Sequence, residues 1–140
     1  MRNLFLYVIV VMIIATIGTV FYLFADESVN KANHEFLAKF GVEVQKRPIE
    51  VEEINIPMPF DNVYTEYNKL QIKAGLDLLP YEGRRAIRYT YEVLNFPYTV
   101  DETVRANVIC VDNEPVGGDI MTVSINGFME DLGYIKRIKK

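Results

Sequence analysis

The chain opens on an unbroken apolar stretch. From Leu4 to Ala25, LFLYVIVVMIIATIGTVFYLFA, 22 consecutive residues carry no charge. A helix of that length spans roughly 33 Å, enough to cross the hydrocarbon core of a bilayer. Arg2 precedes the run and Asp26-Glu27 follow it. The positive-inside rule therefore predicts a single-pass anchor, residues 1–25, with a cytoplasmic N-terminus and everything later on the outer side. A cleaved signal peptide would show an apolar core of about 7–15 residues ending in small ones. This run is longer, and Leu23-Phe24-Ala25 sets a large residue where a small one is wanted. Cys110, the one cysteine, lies far from the N-terminus, which speaks against a lipoprotein.

Beyond the anchor the apolar spacing changes. Ser28 to Phe40 reads as a stalk helix, residues 26–41: Val29, Phe36 and Phe40 share a face with Ala32 and Leu37 beside it, and Gly41 is a natural stop. Val42–Gln45 and Ile49–Ile56 read as extended, with a phase slip at Glu52-Glu53 that predicts a bulge. Asp61 is a candidate N-cap for a helix to Ala74, with Val63, Tyr67, Leu70 and Ala74 as its buried stripe and Gly75 as a left-handed stop.

Three alternating runs follow, around 85–93, 104–110 and 116–125, the last two joined by a tight turn at Asp112-Asn113-Glu114-Pro115. The prediction for residues 42–135 is an α+β domain. After the anchor the order is helix, strand, helix, strand, strand, strand, with the second helix on the apolar face of an antiparallel sheet and the other face wet. Its matched apolar faces predict that residues 42–140 fold without the anchor.

Composition narrows the partners. Residues 26–135 hold 10 basic and 19 acidic residues, net −9, a charge unsuited to nucleic acid. Lys136, Arg137, Lys139 and Lys140 form a basic tail over 136–140. It reads as a solvated end or as a contact to anionic headgroups or wall polymer. A single cysteine makes no internal disulfide, so the core alone must hold the fold.

Several short strings, FLAKFGVEV, INIP, FDNVYTEYNKLQ, AGLDLLPYEGRR, IRYTYEVLNFP, VRANVIC, VGGDIMTV and INGFM, occur in one order that resembles a bacterial family, domain of unknown function 4830. The resemblance covers roughly residues 36–129 and implies an exported or surface-anchored α+β domain. It carries no catalytic residues, because the family has no assigned activity. Leu76 stands where the family usually shows an aromatic residue.

Candidate chemistry is sparse. Tyr64, Asn68 and Gln71 fall at i, i+4 and i+7 beside the buried stripe, with Asp77 and Tyr81 just beyond. They read either as a row of groups facing a ligand or, in the favoured reading, as a boundary stripe holding the loop from Leu76 to Gly83. Arg88, Arg105 and Asn107 share the polar face of neighbouring strands. They could take an anion, or pair with Glu92, Glu102 and Asp119, which is the favoured alternative. Gly117-Gly118-Asp119 lacks the following helix that a phosphate cradle needs and predicts a bulge or a close backbone approach.

His34 lies in the stalk and Cys110 alternates with Val108 and Ala106, so neither a zinc site nor a nucleophile with a base is expected. No cofactor is expected. The leading reading is a non-enzymatic extracytoplasmic module that binds a protein or envelope partner. The alternative is an envelope enzyme or small-molecule binder using Tyr64, Gln71 and Asp77. Convergence of those three in a concavity would favour the alternative; an open strand edge would favour a protein partner.

Overall fold

The computed structural model describes every residue except 1, 99, 101 and 125, and for residues 2–5, 18 and 20–25 it describes the backbone alone. Helix α1 runs from Arg2 to Lys39 without a break, so the predicted anchor and stalk are one element. Asn30 and Asn33 do not interrupt it because both side chains find tertiary partners. Tyr91 Oη donates to Asn30 Oδ1 at 2.9 Å, and Asn33 Nδ2 donates to Tyr91 Oη at 3.1 Å. The helix ends as predicted at Gly41, φ +73°, with Val42 N–H bonding back to Leu37 C=O and Gly41 N–H to Ala38 C=O. Among the described residues no helix is long and apolar enough to cross a membrane. The anchor predicted over 4–25 includes residues 4, 5, 18 and 20–25, whose side chains lie outside the described ones.

The other elements are β1 (Glu50–Asn55), α2 (Asn62–Lys73), a short 3-10 turn (Leu79–Tyr81), β2 (Arg85–Glu92), β3 (Arg105–Val111), β4 (Glu114–Met121), β5 (Met129–Glu130) and α3 (Tyr134–Ile138). The five strands form one antiparallel meander in the order β1-β2-β3-β4-β5. The chain is α+β, as predicted, but its layering differs. Tyr89, Tyr91, Ala106, Val108 and Cys110 pack against Val29 and Leu37 of α1. Helix α2 covers the opposite face, over Ala86, Ile109 and Val111. The face expected to be wet is therefore half covered, and the apolar face belongs to the stalk part of α1. The physical reason is written in β3, where Val108-Ile109-Cys110-Val111 is buried at every position: a strand covered on both sides needs no polar alternate.

Three further expectations are corrected. The pairing of β1 with β2 is regular from Glu50↔Thr90 to Asn55↔Arg85, so no bulge sits at Glu52-Glu53. The surplus residues lie before the strand, where the chain advances six residues from Val44 to Glu50 while its partner moves three, from Val93 to Thr90. On α2, Val63 is 73% exposed while Gln71 is buried, so the inward row is Tyr64, Tyr67, Asn68 and Gln71. The third run ends at Met121, with Ile125 outside the described residues, and β5 and α3 follow unpredicted.

Residues 131–138 are part of the fold. Leu132 and Ile135 are fully buried in the α1-side core. Arg137 makes a two-pronged pair with Asp131, Nη1 to Oδ1 at 3.0 Å and Nη2 to Oδ2 at 2.5 Å. Burial pushes the Asp131 carboxyl up, but the hydrogen bonds and charge of Arg137, the Gly133 N–H and the charge of Lys73 outweigh it and hold the pKa below the ordinary value. Lys136 Nζ donates to Lys39 C=O at 3.3 Å, at the end of α1 that lies about 21 Å of helix beyond Ala25. That position sets the basic end far along the helix from the predicted anchor, against the headgroup reading of the tail.

Candidate functional site

Helix α2 begins where Asp61 caps it: Tyr64 N–H donates to Asp61 Oδ1 at 2.7 Å. It ends at Gly75, φ +79°, where Leu76 N–H reaches Gln71 C=O and Gly75 N–H reaches Ile72 C=O. Between these stops the inward row meets the sheet and the following loop in separate places. Asn68 holds the loop, as expected: its Nδ2 donates to Asp77 Oδ1 at 2.8 Å and its Oδ1 accepts from Leu78 N–H at 2.8 Å. Asp77 also caps Leu79 N–H at 2.9 Å. The bond from Asn68, then that from Leu79, hold its carboxyl below the ordinary value.

Gln71 does something else. Its side-chain amide pairs with the backbone of Gly118 in both directions, Nε2 to C=O at 3.0 Å and N–H to Oε1 at 2.8 Å. A fully buried amide that completes two strand hydrogen bonds is architecture. Tyr64 stands apart from both, packed against Phe60 and Tyr67; burial raises its pKa, with the charge of Arg88 opposing. Tyr81 joins the core beneath α2. Tyr64, Gln71 and Asp77 therefore do not converge on one concavity.

The second set of candidates is drawn together, under α2. Asp119, 2% exposed, accepts from Tyr67 Oη at 2.6 Å and from Asn107 Nδ2 at 2.9 Å. Asn107 in turn accepts from Thr90 Oγ1 at 2.7 Å. The expected Asn107–Asp119 pair is present; Glu92 instead accepts from Gln45 Nε2, and Glu102 from Ser124 N–H. Arg88 pairs with Glu52 and lies 3.9 Å from Glu50, which is also 3.9 Å from Arg105. The Nε atoms of both arginines are buried without an acceptor among the described residues. Sequence reading missed Glu50 and Glu52 because cross-strand partners depend on register. Tyr67 it placed in the core, without its hydroxyl's role.

Burial raises the Asp119 carboxyl above its ordinary value, while Tyr67, Asn107 and Arg88 act to lower it. Such a group binds more protons folded than unfolded, so its ionisation costs stability as pH rises from the unfolded pKa through the folded one. The Tyr67 hydroxyl offsets part of that cost. Tyr67→Phe is expected to lose about 1–3 kcal/mol, with the larger loss at neutral pH and a smaller one under mild acid, where Asp119 carries its own proton. Urea unfolding of both proteins at the two pH values checks the sign; a loss that grows with acid would contradict it.

Two surfaces remain open. Beside α2 lies a groove of about 600 Å³ whose largely apolar wall includes Val63, Tyr67, Leu70 and Met129. At the sheet margin, β1 pairs on one side only. Cys110 offers no reactive thiol: it is buried, donates to Asn33 Oδ1 at 3.1 Å, and desolvation pushes its pKa up to about 12. His34 stacks edge-on to Tyr91 and sits 3.2 Å from Lys46 C=O. Among the described residues no group of three or more metal-ligating side chains forms.

A meander held between the end of a long helix and a second helix laid over a hydrogen-bonded polar network defines a small three-layer α+β domain carried on its own N-terminal helix. The chain belongs to the family described as Domain of unknown function (DUF4830), whose model matches residues 36–120, from the last turn of α1 into β4. No curated protein and no solved structure matches the chain.

Proposed function

We propose that the protein is a membrane-anchored, extracytoplasmic module that binds a protein partner without catalysis. The observation that carries the anchor is the chemistry of α1 before residue 26. Side chains from Leu6 to Ile14, and Ile17 after them, are apolar and exposed, Tyr7 at 72% and Ile17 at 63% among them, which no water-facing helix sustains at low cost. Thr16 and Thr19 bond to the helix's own backbone, Thr16 Oγ1 to Ile13 C=O at 2.8 Å and Thr19 Oγ1 to Ala15 C=O at 2.9 Å. Hydroxyls satisfied within the helix suit a hydrocarbon surround. Arg2 before the run and the acidic pair after it orient the N-terminus inward.

The binding role draws on the site geometry. Asn68, Asp77, Gln71 and Asn107 are spent on internal bonds, the three residues of the small-molecule alternative stand apart, and a strand edge lies open. The test is topology. Protease added to intact cells is expected to remove the domain and leave the N-terminal helix in the membrane fraction. A mature chain beginning near Asp26, or a domain protected in intact cells, would overturn the reading.

A further inference from the structure

Ile56 N–H bonds to Arg84 C=O, and the regular register with β2 then turns the backbone of Glu50, Glu52 and Ile54 toward β2. The N–H and C=O groups of Val51, Glu53 and Asn55 point outward, and no hydrogen bond to them is present among the described residues. Five of the six residues of this strand are exposed. The opposite margin is β5, two residues long, and it pairs with β4 only at Ile120 and Met121; on the rest of that side of β4 the Gln71 amide takes up the backbone of Gly118.

We propose that β1 is a docking edge for an extended segment of a protein partner in which basic and apolar residues alternate. The inference rests on the binding-module reading and specifies its site. Side chains along the edge divide by face. Glu50, Glu52 and Ile54 lie toward the α2 side, and Val51, 54% exposed, Glu53, paired with Arg85, and Asn55 lie toward the α1 side. An added strand presents alternate side chains to the same two faces. Lysine or arginine would meet Glu50 and Glu52, and an apolar residue would meet Val51. Arg88 and Arg105 hold those carboxylates from the inner side, and among the described residues no cation faces Glu50 or Glu52 from the outer side.

The same charges argue against a second copy. Antiparallel two-fold pairing centred on β1 sets Glu53 against its counterpart, Glu52 against its counterpart, or Glu50 against Glu52, depending on register, and like charges directly opposite destabilise a pair. A carboxylate-lined edge also guards against indiscriminate strand addition. A partner able to neutralise the acids would be the one admitted.

The test uses the full chain in detergent micelles and two short capped peptides, one of alternating lysine and valine, the other of alternating glutamate and valine. Amide hydrogen exchange is read at Val51, Glu53 and Asn55. The lysine peptide is expected to slow exchange there about tenfold, as a new hydrogen-bonded neighbour does, and added salt to weaken the effect. The glutamate peptide is expected to leave it unchanged. Glu53→Pro removes one outward N–H, a position where an edge strand tolerates proline, and is expected to abolish the protection. No slowing at these amides, equal slowing by both peptides, or binding indifferent to Glu53→Pro would overturn the edge. None of these results bears on the anchor, and a partner crosslinked at another surface would leave the module reading standing while the edge falls.

Discussion

A chain shortened to begin at Val42 is expected not to fold. The segment it lacks is core: Leu37 and Asn33 are fully buried, Val29 is 6% exposed, and Phe36 and Phe40 pack beside them. Together they cover Tyr89, Tyr91, Ala106, Val108 and Cys110. Asn33 and Asn30 also satisfy the buried Tyr91 hydroxyl, and Asn33 accepts from Cys110. Cutting at residue 42 would expose that apolar face and strand those polar groups, the combination that unfolds marginally stable domains. Within the full chain, Leu37→Ala alone is expected to cost about 2–5 kcal/mol by the loss of a buried side chain and the cavity left behind. Urea unfolding followed by circular dichroism decides both points. A chain beginning at Asp26 is expected to give one cooperative transition, and the chain beginning at Val42 none. Equal transitions would return α1 to the role of a detachable stalk.

That outcome bears on how the proposed anchor and the domain are joined. Where a linker separates them, the domain tumbles independently; here Leu37 and Lys39 lie on the helix that begins at Arg2.

Local signals in the sequence were legible where the chain acts locally. Asp61, Gly41 and Gly75 mark helix ends through their own backbone needs, and Asp112-Asn113, both at positive φ, mark the hairpin between β3 and β4. The strand runs were legible because their apolar alternation is strong. What escaped depends on the third dimension. Val63 and Tyr64 are equally good occupants of a buried stripe; Val63 is exposed because the rotation of α2 is set by Gln71 pairing with Gly118 and Tyr67 with Asp119. The short β5 and the turn of α3 hold too few residues for periodicity to register, although Leu132 and Ile135, both fully buried, tie them to the core. Among the seven candidate site residues, Arg88, Arg105 and Asn107 were rightly grouped on one face. Their acidic neighbours Glu50 and Glu52 lie on a strand whose register no local pattern determines.

Gly118→Ala is expected to be among the most damaging single changes in the molecule. A Cβ at Gly118 would stand 2.3 Å from the Asn107 carbonyl oxygen and 3.0 Å from Leu132 Cδ1. The first neighbour is backbone of the adjoining strand and cannot turn aside, so β4 must move from β3. Moving it disturbs the Gln71 amide bonded to Gly118 on both sides and the Asp119 carboxylate one residue on, whose partners Tyr67 and Asn107 have little room to follow. The expected cost is about 3 kcal/mol, the upper end of what over-packing usually exacts. Gly75→Ala is the matched comparison. Its backbone is left-handed, φ +79°, but nothing lies within 4 Å of the added carbon, so only the conformational penalty of about 1–2 kcal/mol applies. Urea midpoints for the two variants, with the slopes compared to confirm that the transitions are alike, rank the effects. A smaller loss for Gly118→Ala than for Gly75→Ala would mean that β3 and β4 do not approach as closely as their backbones are placed, and that Gln71 is not what holds α2 to the sheet.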